Sequence, residues 1–346
     1  MKSRIFSFIV ILFSLSCSRW KVSELKQEVY CTIKSSEAGG NVSLKFIENE
    51  DILDLSFVLK ISDSNIYLGD NNSKTIHVFS SKGEKELSIG PKTALKQASN
   101  YSSFEFTSIG LITDDNDGNI YVQNRLTKTD DSTKELSPSY VLIFSKDGKL
   151  QETLGQEGIA NTPFYYIESL FTNENNDLYV VGRTFENWNL SVFKNRKRTF
   201  SKVFDQNFIT DPVNTAYKPV IEKIIPFRKS DSVAVSVSYY DGTRFKYRKI
   251  FKLDISPDPV LKELTVLPDP RNELFTILDD KYLLFWEMDD NDIRFVIWSF
   301  QKNIVNNLKI DFKNQKSYYD EIISDENGKI YSYSVTRDGI TISSWE

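Results

Sequence analysis

One histidine stands in the 346 residues, together with two cysteines and two methionines. A lone His77 excludes a metal centre built from several histidines, and any Ser-His-Asp triad would have to run through it. No Gly-x-Ser-x-Gly elbow is present to carry the serine of such a triad. His77 itself lies in Thr-Ile-His-Val-Phe, an alternating strand pattern in which its side chain points away from those of Ile76 and Val78. It is expected to be structural. Cys17 and Cys31 could in principle make one disulfide, but if Cys17 is modified Cys31 is left single and stability has to come from packing. Basic charge is not in excess either: 43 Lys and Arg against 48 Asp and Glu leave a net charge of −5. General attraction to nucleic acid or to anionic lipid is therefore absent. The body of the chain also lacks any stretch that sustains a 3.6-residue apolar period long enough for a core helix.

What the chain does have is a repeated meander. From Ile61 to Gly90, three runs of alternating apolar and polar residues are joined by turn residues, and the same grammar returns from Asp117 to Gly155. A unit of this kind is the sequence signature of a β-propeller blade, with an inner strand, two middle strands and an outer strand. Blades read over 52–89, 106–154, 165–204, 220–267, 274–312 and 319–345. The reference positions Tyr67, Tyr121, Tyr179, Ala234, Leu283 and Tyr331 follow one another at intervals of 48 to 58 residues, which decides for six blades. The last blade is one strand short. The alternating stretch 42–47 is expected to supply it and so close the ring, leaving no open sheet edge. The fold class expected is all-β: a six-bladed propeller of four-stranded antiparallel blades over 41–346, closed by an N-terminal strand.

Ahead of it, Lys2 and Arg4 precede an apolar run over 5–13 and then Ser14-Leu15-Ser16-Cys17. A positive start, a short apolar core and small residues before the break form an export signal over 1–16. The run is too short to span a bilayer comfortably. Leu15-Ser16-Cys17 resembles a bacterial lipobox. It departs from the usual pattern in placing Ser14, not leucine, three residues before the cysteine, and looks like the looser lipoboxes of spirochaete lipoproteins. The resemblance implies cleavage before Cys17, diacylglycerol on its thiol, and a location in the cell envelope, at the outer membrane or a periplasmic face. Several acyl chains hold a protein far more firmly than one, at about 0.8 kcal/mol per buried CH₂. Residues 17–40 then form a tether ending in Glu37-Ala38-Gly39-Gly40.

Gly118-Asn119-Ile120-Tyr121-Val122, followed after a variable loop by Val141-Leu142-Ile143-Phe144-Ser145-Lys146-Asp147-Gly148-Lys149-Leu150, resembles NHL-type repeats. The likeness is good over 65–90 and 117–155, weaker over 176–204 and faint after 216. It implies a six-bladed propeller of the kind found in many bacterial lipoproteins. Such propellers include interaction scaffolds and a minority of enzymes, so the likeness carries a fold and not an activity.

Few residues offer chemistry. Asp114-Asp115-Asn116-Asp117-Gly118 invites a calcium loop, but aligning Gly118 with the invariant glycine puts Thr113 first and Asn124 last, and neither fits. Asp325-Glu326-Asn327-Gly328 fails likewise, with Ile323 first. Both read as hairpin turns. The basic run Lys194-Asn195-Arg196-Lys197-Arg198 reads as a solvated rim hairpin, and Trp188, Trp286, Trp298 and Trp345 as blade packing. Long connections at 91–103, 124–139 and 205–219 are where a rigid scaffold would present binding residues. The expected role is a monomeric protein- or ligand-binding scaffold on a membrane, with no cofactor, no metal, no catalytic residue and no nucleic acid. The alternative is a propeller hydrolase or lactonase with a metal in the central channel, drawing on Glu168, Asn173 and Glu222. A purely structural envelope protein is a third reading.

Overall fold

Six blade sheets, each antiparallel over its four blade strands, follow one another along the chain, and all but the last run outward in sequence order. The computed structural model describes residues 22–36, 42–47, 52–54, 56–62, 65–93, 100–126, 139–155, 164, 166–184, 187–289, 292–300, 305–310, 317 and 319–346. The inner strands are Phe57–Ile61, Ile109–Asp114, Tyr166–Thr172, Lys218–Pro226, Glu273–Leu278 and Tyr319–Ser324. Alternation and turn residues place most strands within a residue or two of their expected positions. Middle strands are buried on both faces, as in Leu178–Arg183, where Val180 and Val181 are neighbours and both fully enclosed. That is why they read as continuous apolar runs.

The core is divided among the seams between blades. Tyr67, Ile76 and Val78 of blade one pack on Ile109, Ile120 and Val122 of blade two. Four further clusters join blades two to three, three to four, four to five and five to six. The sixth joins Tyr331, Val335 and Ile342 of blade six to Ile61, Ile66 and Leu68 of blade one. Each seam is a face-to-face sheet contact, and the last returns to the first. The ring is closed.

Closure by an N-terminal strand holds, but the strand is not the expected one. Gln27–Lys34 pairs antiparallel with Gly339–Trp345 and becomes the outer strand of blade six. It alternates as a blade strand must, with Cys31 and Ile33 buried between exposed Thr32 and Lys34. Within the stretch 42–47, Lys45–Ile47 instead makes a two-stranded hairpin with Ile52–Asp54, and the inner strand of blade one starts at Phe57. Val22–Glu24 adds a fifth strand, parallel to Val305–Ile310, at the rim of blade five. Much of the segment read as tether therefore belongs to the propeller. Cys17 and the rest of 1–21 lie outside the described residues, as do 37–41. Among the described residues no helix is long and apolar enough to cross a membrane.

Candidate functional site

Four of the six inner strands carry a β-bulge at the same place. In blade three Ile167 and Ser169 pair with the adjacent residues Gly182 and Val181, which leaves Glu168 as the extra residue. Blade four does the same around Glu222, between Ile221 and Lys223, and blade five around Phe275, between Leu274 and Thr276. In blade two Gly110 and Leu111 face Gln123, whose Oε1 accepts the Leu111 N–H at 3.1 Å. The cause is the spacing of buried residues. Ile109 and Ile112, Ile167 and Leu170, Ile221 and Ile224, and Leu274 and Ile277 are all buried, and all lie three apart where a regular strand requires two. One extra residue per strand reconciles the spacing and re-aims the side chain beside it.

Those residues line a central cavity of about 380 Å³, to which every blade contributes: Lys60, Thr113, Glu168, Glu222, Phe275 and Ser324 stand on successive inner strands. At the end marked by the first hairpin turn of each blade, charges are mutually engaged. Lys60 and Arg228 both reach Glu326, at 3.0 and 3.4 Å. The Asp280 carboxylate accepts the Arg228 and Lys229 N–H groups at 2.7 and 2.6 Å. Asp114 accepts the Tyr67 hydroxyl at 3.0 Å, and burial holds its carboxyl above the ordinary range, against the pull of Lys60. Thr172 Oγ1 donates to the Asp114 carbonyl, tying blade three to blade two. This belt locks neighbouring blades together.

Deeper in, Lys223 Nζ donates to the Phe275 carbonyl at 2.8 Å and lies 5.7 Å from the centroid of that ring. Solvent reaches Lys223, yet protein encloses the channel on every side. That enclosure lowers its ammonium to about 8, with Glu273 and Glu168 opposing the shift. Glu168 and Glu222 are exposed to the channel. Among the described residues no side chain or backbone N–H hydrogen-bonds Glu168, and Glu222 receives only the Tyr240 hydroxyl at 3.5 Å. Phe275 is fixed from behind by Trp286 and Phe295, at ring distances of 5.5 and 5.2 Å.

The remaining sites are structural. Asn173 is kept from the channel by its turn, its Oδ1 accepting the Asn175 and Asp177 N–H groups at 3.0 and 2.9 Å. Among the described residues no three His, Cys, Asp or Glu side chains stand together to hold a metal ion. Asp115 caps its own hairpin by accepting the Asp117 and Asn119 N–H groups, and Asp325 does the same for Asn327 and Lys329. Lys194 of the basic hairpin bridges Asp177 and Asp231 at 3.0 and 2.7 Å. Asp211 pins the connection 205–219 through the Tyr247 hydroxyl and Lys249. Residues 94–99 and 127–138 of the other two connections lie outside the described residues. Trp188 and Trp345 are buried, and Trp286 and Trp298 pack against the cores.

Fold and site together define a six-bladed β-propeller with a charged central channel. Among solved structures the chain is similar to the Dos1 propeller, with 12% identity over 88% of this chain and 81% of that one, TM-score 0.43. It is also similar to an assigned exported protein of Bacteroides fragilis, with 11% identity over 93% and 95%, TM-score 0.46. TolB from Acinetobacter baumannii matches at 12% identity over 84% and 63%, TM-score 0.40. These are likenesses of fold alone. No protein-family model and no curated protein matches the chain.

Proposed function

We propose that the protein is an exported, lipid-anchored binding module of a bacterial cell envelope, of NHL-like type, and that the ligand enters its central channel. The observation that carries this reading is the cavity of about 380 Å³ in which all six blades meet, within the size range of small-ligand sites. Most other charges along its wall are engaged by the protein itself, whereas Glu168 and Glu222 face open space. Anchoring rests on the export signal and on Cys17, and the NHL-like type on the repeats over 65–90 and 117–155. The hydrolase reading needs a third ligand beside Glu168 and Glu222; among the described residues no three His, Cys, Asp or Glu side chains stand together, and the Asn173 Oδ1 is taken up by its own turn.

Two measurements test this. A small-molecule extract of the source cells should raise the melting temperature of the protein but not that of Ser169→Trp, which fills the channel from an inner strand. An unmoved wild-type protein, together with in-cell crosslinks confined to rim residues, would replace the channel reading with a surface scaffold. For the anchor, Cys17→Ala should give an unprocessed or soluble protein; continued lipid labelling of that variant would refute lipidation at Cys17.

A further inference from the structure

Glu168, Glu222 and Phe275 occupy the same bulge position on three consecutive blades. Bulges re-aim side chains, and here those of blades three and four turn the exposed Glu168 and Glu222 into the central cavity, whereas Phe275 meets it mainly through its backbone carbonyl and an edge of a ring buried in the blade five–six core. Two carboxylates from adjacent blades thus face a single space.

The charge balance of that space has a sign. Lys60 and Arg228 share Glu326, Arg228 also reaches Glu174 at 3.9 Å, and the Lys223 ammonium donates to the Phe275 carbonyl in the field of Glu273 and Glu168. Among the described residues lining the cavity there are six carboxylates and three cations. Low-dielectric walls focus such an imbalance into the lumen. An anion entering here meets two exposed carboxylates and cations that already have partners. A cation meets the reverse. Burial penalises the Lys223 ammonium while Glu273 and Glu168 favour it, so the carboxylates are what make a cation acceptable here, and the half-buried Phe171 and Ile225 add apolar surface to the same cavity.

Resting on the reading of the channel as the ligand site, we infer that it takes an organic cation: an ammonium or guanidinium group on a short apolar stem, held between Glu168 and Glu222 with the stem against the apolar wall at Phe171 and Ile225. The cation can be a free amine or the side chain of a basic peptide. The volume admits either.

The test is calorimetric titration of the full-length protein with n-pentylammonium chloride and with acetyl-Gly-Lys-Gly-amide, and with 1-pentanol and sodium pentanoate as neutral and anionic counterparts. At least one of the two amines should bind, and which one does so separates the two sources; the alcohol and the carboxylate should not. Glu168→Gln and Glu222→Gln keep the side-chain shape and are exposed to the channel, so they should melt like wild type. Each should weaken amine binding tenfold or more, about 1.4 kcal/mol. Amine binding unchanged in both variants overturns the inference, as does failure of both amines to bind or pentanoate binding as well as they do. Binding of pentanoate alone leaves the channel as a ligand site and removes only its preference for cations. If the cell extract is silent as well, the channel reading falls with it.

Discussion

The imidazole of His77 lies in Thr75–Ser80, the third strand of blade one, with Nδ1 3.1 Å from the Ser88 hydroxyl. Its Nε2 is buried with no hydrogen-bond partner among the described residues. Burial, aided by Lys85 and opposed by Asp70, pushes the ring down to about 4 from an ordinary 6.5. Between those values the unfolded chain binds the proton that the folded chain refuses, so stability is complete above pH 6.5 and is lost as pH falls towards 4. At pH 5 the loss from this one group is on the order of 2 kcal/mol. Because the chain has a single histidine, the effect can be isolated. His77→Gln should lower the urea midpoint at pH 7.5 yet flatten its decline between pH 7.5 and pH 5. An equal decline in both proteins would show that the acid sensitivity arises elsewhere. That His77 lies inside a blade strand was legible from the alternating pattern around it, and the turn roles of Asp115 and Asp325 were legible from the glycines that follow them. Lys223 and Phe275 were not legible as channel residues, because an inner strand's register shift is invisible to simple alternation. Only the three-residue spacing of buried apolar residues, repeated in four blades, carries that signal.

Among the elements, the closing strand shows how far pattern goes. Both 27–34 and 42–47 alternate, and both lie just ahead of blade one, so alternation cannot choose between them. The choice is made by contacts far away in sequence. The Gly339 backbone has φ +148, and a Cβ there would run into the Ile33 carbonyl oxygen of the closing strand. Only glycine lets Gly339–Trp345 begin so close to the end of Gln27–Lys34. Gly339→Ala should therefore strain the backbone and push the two strands apart, at a cost of about 1–3 kcal/mol for the backbone conformation alone. Loosening the seam also exposes the edge of Gly339–Trp345, so the variant should form larger species on heating, visible by light scattering. Gly242 is the control, since it too has positive φ, +60, but nothing lies within 4 Å of its notional Cβ. Gly242→Ala should strain its turn but add no larger species on heating. Equal aggregation of the two variants would mean that ring closure does not depend on this contact.

For the whole molecule, moving the start of the propeller changes what an anchor at Cys17 would do. A tether over 17–40 would give the ring a reach of about 80 Å from the bilayer at 3.3–3.6 Å per extended residue. With Val22–Glu24 already in the sheet, four residues lie between Cys17 and that strand, and the five steps from Cys17 to Val22 span roughly 17 Å at most. Val22–Glu24 lies at the outer edge of blade five and Gln27–Lys34 at that of blade six, so the chain leaves the ring from its circumference at these two blades. An acyl-anchored protein is then held with this sector of the rim close to the headgroups. Blade two, across the ring, is less constrained. Single-cysteine labelling can read this out, because Cys31 is buried and burial pushes its thiol up to about 11, leaving an introduced surface cysteine as the reactive one. In liposome-bound, lipidated protein, a donor at Glu24→Cys should transfer energy to a headgroup acceptor more efficiently than one at Gln151→Cys, on the outer strand Leu150–Leu154 of blade two. Extending the chain by twenty Gly and Ser residues after Ser18 should erase the difference, since reach then exceeds the size of the ring. Equal transfer from both positions in the unextended protein would mean that the anchor does not orient the propeller, and the short tether would lose its meaning.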